Sequence, residues 1–251
     1  MRSPLVVSLL SLIFLAQTTI AATRVVMNTN DSGPESLRQA MLDASSGACA
    51  APCTIALTGI SQSRPPQVIA LQSPLPPVRV NGVKIQQSET ENGFGPGRVE
   101  IRGAGAGASA DGLRIEGAQD IVIVGLILRG FSRHGIVIDG ATNVHLQACD
   151  FLENGTNGVL LFNAHKINIL GCQTGNNGGN GIYARASDTL DFGSNGVGEM
   201  NDRSKPIPNG ANGIHLAALA RAVRSVPARH PSRSRRAVLP PRPARPAPPL
   251  P

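Results

Sequence analysis

Asp111-Gly-Leu-Arg-Ile, His134-Gly-Ile-Val-Ile, Asn157-Gly-Val-Leu-Leu and Asn180-Gly-Ile-Tyr-Ala align without a gap. Their glycines, Gly112, Gly135, Gly158 and Gly181, are 23 residues apart. A fifth copy, Asn212-Gly-Ile-His-Leu, places Gly213 one period plus a nine-residue insertion after Gly181. The agreement continues within each unit. Ile121, Val144, Ile167 and Leu190 share one column, Ile123, Leu146, Ile169 and Phe192 a second, and Leu126, Cys149 and Cys172 a third. Apolar residues alternate with others over short runs, a period of two and not 3.6, so the unit is built of strands. The first unit holds three, near 113–116, 121–124 and 126–129.

Every unit repeats the same phase, so each strand stacks on its copy one unit on, in parallel and about 4.8 Å away. Three strands per 23-residue turn make a parallel β-helix, and the handedness of parallel crossovers favours the right hand. The Asn-Gly corner before each first strand is expected to need positive φ at glycine. Asn157 and Asn180 are expected to stack, amide on amide. The Leu and Asn spacing of a leucine-rich horseshoe is absent.

Residues 111–216 resemble the right-handed β-helix, pectate-lyase-like superfamily. Asn30-Asp-Ser-Gly-Pro-Glu-Ser-Leu-Arg-Gln-Ala resembles the opening of many exported bacterial β-helix proteins. Together the two stretches and what lies between them make up most of the chain. The resemblance implies the fold, and with it domains that bind or hydrolyse carbohydrate. Polygalacturonases are similar in architecture, and Asp111-Gly and His134-Gly fall at corner positions like theirs. However, residues 109–110 are Ser-Ala, and the Asp-Asp and Arg-Ile-Lys motifs of those enzymes are missing.

Earlier segments fit the same plan. Ser32-Gly-Pro-Glu35 has capping-box spacing, and Leu37, Ala40, Met41 and Ala44 make one apolar helix face. A solenoid exposes its core at each end, so this helix is expected to cap the coil. Segments 54–57, 67–71, 78–85 and 99–101 read as strands of irregular first turns. The organisation expected is a signal peptide at 1–21, a cap with helix at 22–59, a β-helix at 60–219 and a disordered tail at 220–251.

The ends differ from the body. Arg2 precedes an apolar run and the small residues Thr19-Ile20-Ala21, the pattern of a secretory signal peptide. That run is too short to span a bilayer, and no later segment is apolar enough. A secreted, periplasmic or cell-surface location is expected. Of the 23 basic residues, eight are arginines in 221–251, a segment with nine prolines and no acid. The other 15 meet 16 acids, so the body is neutral and nucleic acid is not an expected partner. The Arg/Pro composition, beginning inside an uncompleted repeat, reads as a frameshift or truncated frame, and otherwise as a solvated tail or an anion-binding arm.

In an exported chain, Cys49 and Cys53 of Cys-Ala-Ala-Pro-Cys read as a local disulfide. Cys149 and Cys172, one repeat apart and inward, read as stacked free thiols, with a bridge across turns as the alternative.

With Leu113 and Ile115 inward, the outward residues of the first strands form two columns. One is Arg114, Val137, Leu160, Tyr183 and His215, and the other is Glu116, Asp139, Phe162 and Arg185. Aromatic faces and charged donors along a strip suit an extended sugar chain, so Arg114, Phe162, Tyr183, Arg185 and His215 are the expected polysaccharide contacts. Glu116 and Asp139, neighbours in one column, are the candidate catalytic pair, with one pKa raised by the other's charge. An eliminating lyase would add calcium, which needs a carboxylate cluster not evident in the repeats. No other cofactor and no metal site is expected, and the protein is expected to be a monomer. Three functions follow: polysaccharide association without proven catalysis, a lyase, hydrolase or epimerase of acidic glycans, or a structural or adhesin solenoid.

Overall fold

The computed structural model describes residues 21–60, 66–87, 98–198 and 206–218, and the backbone of 223–225. Within these, the repeats wind into one coil with three parallel sheets. The first sheet stacks Leu113–Glu116, Ile136–Asp139, Val159–Phe162, Ile182–Arg185 and Ile214–Ala217. Leu113 lies opposite Ile136, Ile136 opposite Val159, and Val159 opposite Ile182, so each partner lies a single repeat period further along the chain. Ile182 lies opposite Ile214, on the far side of the insertion, so the register survives the interruption.

The second sheet has eight strands and the third has six. Gln119–Val124, Thr142–Gln147, His165–Leu170 and Asp188–Gly193 are the regular members of the second. Ile127–Arg129, Asp150–Leu152 and Gln173–Gly175 are those of the third. Strand alternation sends Leu113, Ile115, Ile121, Ile123 and Leu128 and their copies inward, where they form one continuous buried core. Burying such aliphatic side chains stabilises the fold by about 1.5–3 kcal/mol each.

The second sheet begins earlier than a boundary at residue 60. Ala22–Val25 pairs with Cys53–Ala56, which pairs with Val83–Gln86. Residues 22–59 therefore supply two strands of the coil as well as a helix. The helix spans Leu37–Ser46 and buries Leu37, Ala40, Met41 and Ala44 in the common core. Its N-cap is Ser36, whose hydroxyl accepts the Gln39 N–H at 3.2 Å. The capping box starting at Ser32 does not form, because Glu35 lies outside the helix with φ 60°. Cys49 and Cys53 are joined by a disulfide, with Cα atoms 5.6 Å apart.

At the other end, the backbone of Val223–Ser225 pairs with the Asp188–Gly193 strand, Val223 opposite Leu190. The expected disordered tail at 220–251 is thus corrected over these three residues, whose backbone continues the sheet. The rest of that segment from 226, and the expected signal peptide up to residue 20, lie outside the described residues. Among the described residues no helix is long and apolar enough to cross a membrane.

The corners also differ from expectation. Positive φ falls at Gly117, Gly140, Asn163 and Ala186 between first and second strands, and at Gly125, Ala148, Gly171 and Ser194 between second and third. Gly135 and Gly158 in the repeated motif have ordinary φ. They are glycine because a Cβ would sit 2.7 Å from the carbonyl oxygen of the glycine one turn on.

Candidate functional site

Sheet register builds the two outward columns. Arg114, Val137, Leu160, Tyr183 and His215 are successive partners, as are Glu116, Asp139, Phe162 and Arg185. The columns divide into two halves of different character. Val137 is only 3% exposed, so the strip is not a uniformly open face.

One half is a knot of charge. Arg114 donates to Asp111 Oδ2 at 2.6 Å and to Glu116 Oε1 at 2.7 Å. Arg79 reaches Glu116 Oε2 at 2.6 Å, and Arg133 lies 3.8 Å from Asp111. Arg79 is brought there because its neighbour Val78 bridges Ile115 in parallel, an extra strand-like contact below the first regular turn. The hydrogen bond from Arg114, followed by that from Arg79, holds the Glu116 carboxyl below its usual value despite partial burial. The rise expected from Asp139 is therefore not what Glu116 undergoes, since two guanidiniums outweigh one neighbouring carboxylate. Glu116 and Asp139 remain register partners. Arg114 is engaged by two acids, Asp111 and Glu116.

The other half is aromatic. The Arg185 guanidinium lies over the Phe162 ring, 5.9 Å from its centroid. Such a contact at an exposed site contributes about 0.5–1 kcal/mol. Tyr183 and His215 meet edge to face with centroids 5.1 Å apart. His215 Nδ1 is 3.3 Å from the Asn212 amide, which fixes the ring beside the corner. Phe162, Tyr183 and His215 are half-buried and Arg185 is exposed. The structure thus gathers Phe162, Tyr183, Arg185 and His215 into one surface and leaves Arg114 in a separate cluster.

The corner before the first sheet holds a column that sequence reasoning saw in part. Asn157 Oδ1 accepts the backbone N–H and side-chain amide of Asn180, at 2.8 and 3.0 Å, and Asn180 does the same for Asn212 at 3.1 and 3.2 Å. His134 occupies the preceding place. Its Nδ1 faces the Thr156 hydroxyl at 2.7 Å and the Asn157 N–H and amide at 3.3 Å each, so it stands where an asparagine oxygen stands elsewhere. Burial lowers the His134 pKa, with Arg133 and Arg114 adding to the effect and Asp111 opposing it.

A second column was missed. Asn177 donates its amide to Asn209 Oδ1 at 2.9 Å and to the Phe151 carbonyl at 2.9 Å, while its Oδ1 receives the Asn154 amide at 3.0 Å. Also missed was a charged cluster on the outer face of the third sheet. There Arg98 pairs with Asp150, and Glu100 pairs with Arg102 at 2.7 Å and Arg129 at 3.6 Å. Burial raises the Asp150 pKa against the pull of Arg98. Ile127, Leu152 and Ile207 pack together on that same face, so the segment after the insertion closes over it. No group of three metal-ligating side chains occurs among the described residues.

No curated protein matches the chain. Residues 78–219, more than half of the 251, match the family model described as the right handed beta helix region. Three parallel sheets in register and that match agree, and the chain belongs to the right-handed β-helix family.

Proposed function

We propose that this is an exported β-helix repeat protein that associates with polysaccharide, in the extracellular space, the periplasm or on the cell surface, as a monomer. The observation that supports it is the aromatic half of the first sheet's outer face. Phe162 under Arg185 and Tyr183 against His215 lie along the coil axis at the spacing of successive strands. Flat ring faces stack on the apolar faces of sugars, and the guanidinium supplies fixed donors for hydroxyl or carboxylate oxygens. The Cys49–Cys53 disulfide supports an oxidising location.

The runner-up is a lyase, hydrolase or epimerase of acidic glycans using Glu116 and Asp139, with calcium if the reaction is an elimination. The two arginines on Glu116 favour its ionised form, which suits a base or a charge stabiliser and not a proton donor. Catalysis is therefore not part of the function proposed.

A panel of acidic and neutral polysaccharides tests the proposal. Binding without new reducing or unsaturated ends is the expected result. Tyr183→Ala is expected to weaken binding several-fold with an unchanged circular dichroism spectrum. Product formation would move the function to the runner-up. Absence of affinity for every glycan would leave a structural or adhesin solenoid.

A further inference from the structure

The third column of the core contains two nucleophilic groups that glycan association does not use. Cys149 and Cys172 are free thiols, 0% and 1% exposed. They occupy the same place in successive turns, each directly after a corner residue with positive φ, Ala148 or Gly171. Their flanks are locked in register, Gln147 opposite Leu170 and Asp150 opposite Gln173. The backbone N–H of Cys149 points at Cys172 Sγ, 3.4 Å away. Stacked turns hold equivalent Cα atoms about 4.8 Å apart, inside the range of about 4.4–6.8 Å that a disulfide spans. The column does not extend as a thiol ladder, because Leu126 precedes it and the Asn195 side chain follows, accepting the Cys172 N–H at 2.8 Å.

We propose that Cys149 and Cys172 are a modification site at which a small-molecule disulfide forms a covalent bridge between adjacent turns of the coil. The thiolate of one of the two cysteines attacks one sulfur of the external disulfide, forms a mixed disulfide and expels one thiolate. The thiolate of the other cysteine then attacks the protein sulfur of that mixed disulfide, forms the protein bridge and expels the second. The protons released by the two cysteines end on the two small thiols, so two protein thiols are oxidised and one external disulfide is reduced. Burial opposes ionisation at both sulfurs, but the hydrogen bond from Cys172 brings Cys149 below its ordinary value while Cys172 stands well above it. Neither sulfur meets solvent in the closed coil, so the exchange runs while these turns open or before they stack, and the closed coil protects either redox state.

The full chain, unfolded in urea without reductant and refolded in oxidised and reduced glutathione, tests the site. It is then denatured, alkylated and weighed intact. The expected product has the mass of the chain less four hydrogen atoms, two for each of two bridges, whereas the protein refolded in reductant that spares Cys49–Cys53 gains two alkyl groups. The bridged product takes up no alkyl group and carries no glutathione. Peptide mapping places the bond between residues 149 and 172, and the bridged form melts a few degrees higher, as closing a loop of this length implies. In Cys149→Ser the remaining Cys172 is expected to be alkylated or to hold glutathione; Cys149→Ala serves if the serine does not fold. Two alkylated cysteines after oxidative refolding, a bond shuffled to Cys49 or Cys53, or a bridged form that melts lower would each overturn the proposal.

Discussion

His134 shows how one side chain can make the coil sensitive to pH. Its Nδ1 accepts from Thr156 and Asn157 only while unprotonated, and burial lowers its pKa below 6.5. Asp111 faces it with opposite sign, and Arg133 and Arg114 add repulsion. The unfolded chain therefore takes up the proton first. Stability from His134 is fully present above about pH 6.5 and is lost as the pH falls through the lowered value. Urea midpoints are expected to drop between about pH 7 and pH 5, and in His134→Asn, which restores an amide to the column, to stay flatter over that window. Glu116 acts lower on the scale. Its folded pKa is depressed, so its contribution is present above the unfolded value and lost in more acid solution. Asn177 has no titration but more bonds. It is 1% exposed and joins Asn154, Asn209 and the Phe151 carbonyl. Asn177→Ala removes the acceptor of the Asn154 backbone N–H and amide and the donor to the Phe151 carbonyl, and is expected to destabilise by about 1–3 kcal/mol in urea unfolding at neutral pH.

At the scale of the element, the two kinds of glycine separate. A Cβ at Gly158 would meet the Gly181 carbonyl oxygen at 2.7 Å, the Asn177 amide at 2.9 Å and Phe151 at 3.2 Å. Gly140 has φ 61° but nothing closer than 4.0 Å, and its column already holds Asn163 and Ala186 at positive φ. Gly158→Ala is expected to destabilise by about 2–4 kcal/mol and Gly140→Ala by about 1 kcal/mol, both read from urea midpoints. Period-two alternation and the regular repeat make the first-sheet strands legible to the residue. They do not reveal why the motif glycine is there, because its constraint comes from the turn above and not from its own φ. The second asparagine column is legible too. Asn-Gly-X-Asn-Gly recurs at 154–158, 177–181 and 209–213, and its first asparagine is as regular as its second. The helix start is not legible in the Ser32 spacing, because the chain turns at Glu35 with φ 60° and the cap falls at Ser36.

At the scale of the whole molecule, periodicity locates the columns but not what touches them from outside the repeat. Arg79 comes from an irregular turn well before Glu116 in the chain, and no spacing rule links them. The closure of the third sheet's outer face depends on Ile207, which follows the insertion that interrupts the pattern making the rest readable. The split of the first sheet's face into a charge knot and an aromatic surface is therefore a property of the folded coil. All of this rests on parallel, in-register stacking, and that stacking has a direct measurement. Lys84, Val122, His145, Asn168 and Asp191 are successive partners across the second sheet. Spin labels on cysteines at 84 and 145 in one variant, and at 84 and 191 in another, span two and four strand spacings. Electron paramagnetic resonance is predicted to give backbone separations of about 10 Å and about 19 Å. A separation for 84 and 191 no greater than that for 84 and 145, or one far beyond the two-fold ratio, would contradict the coil.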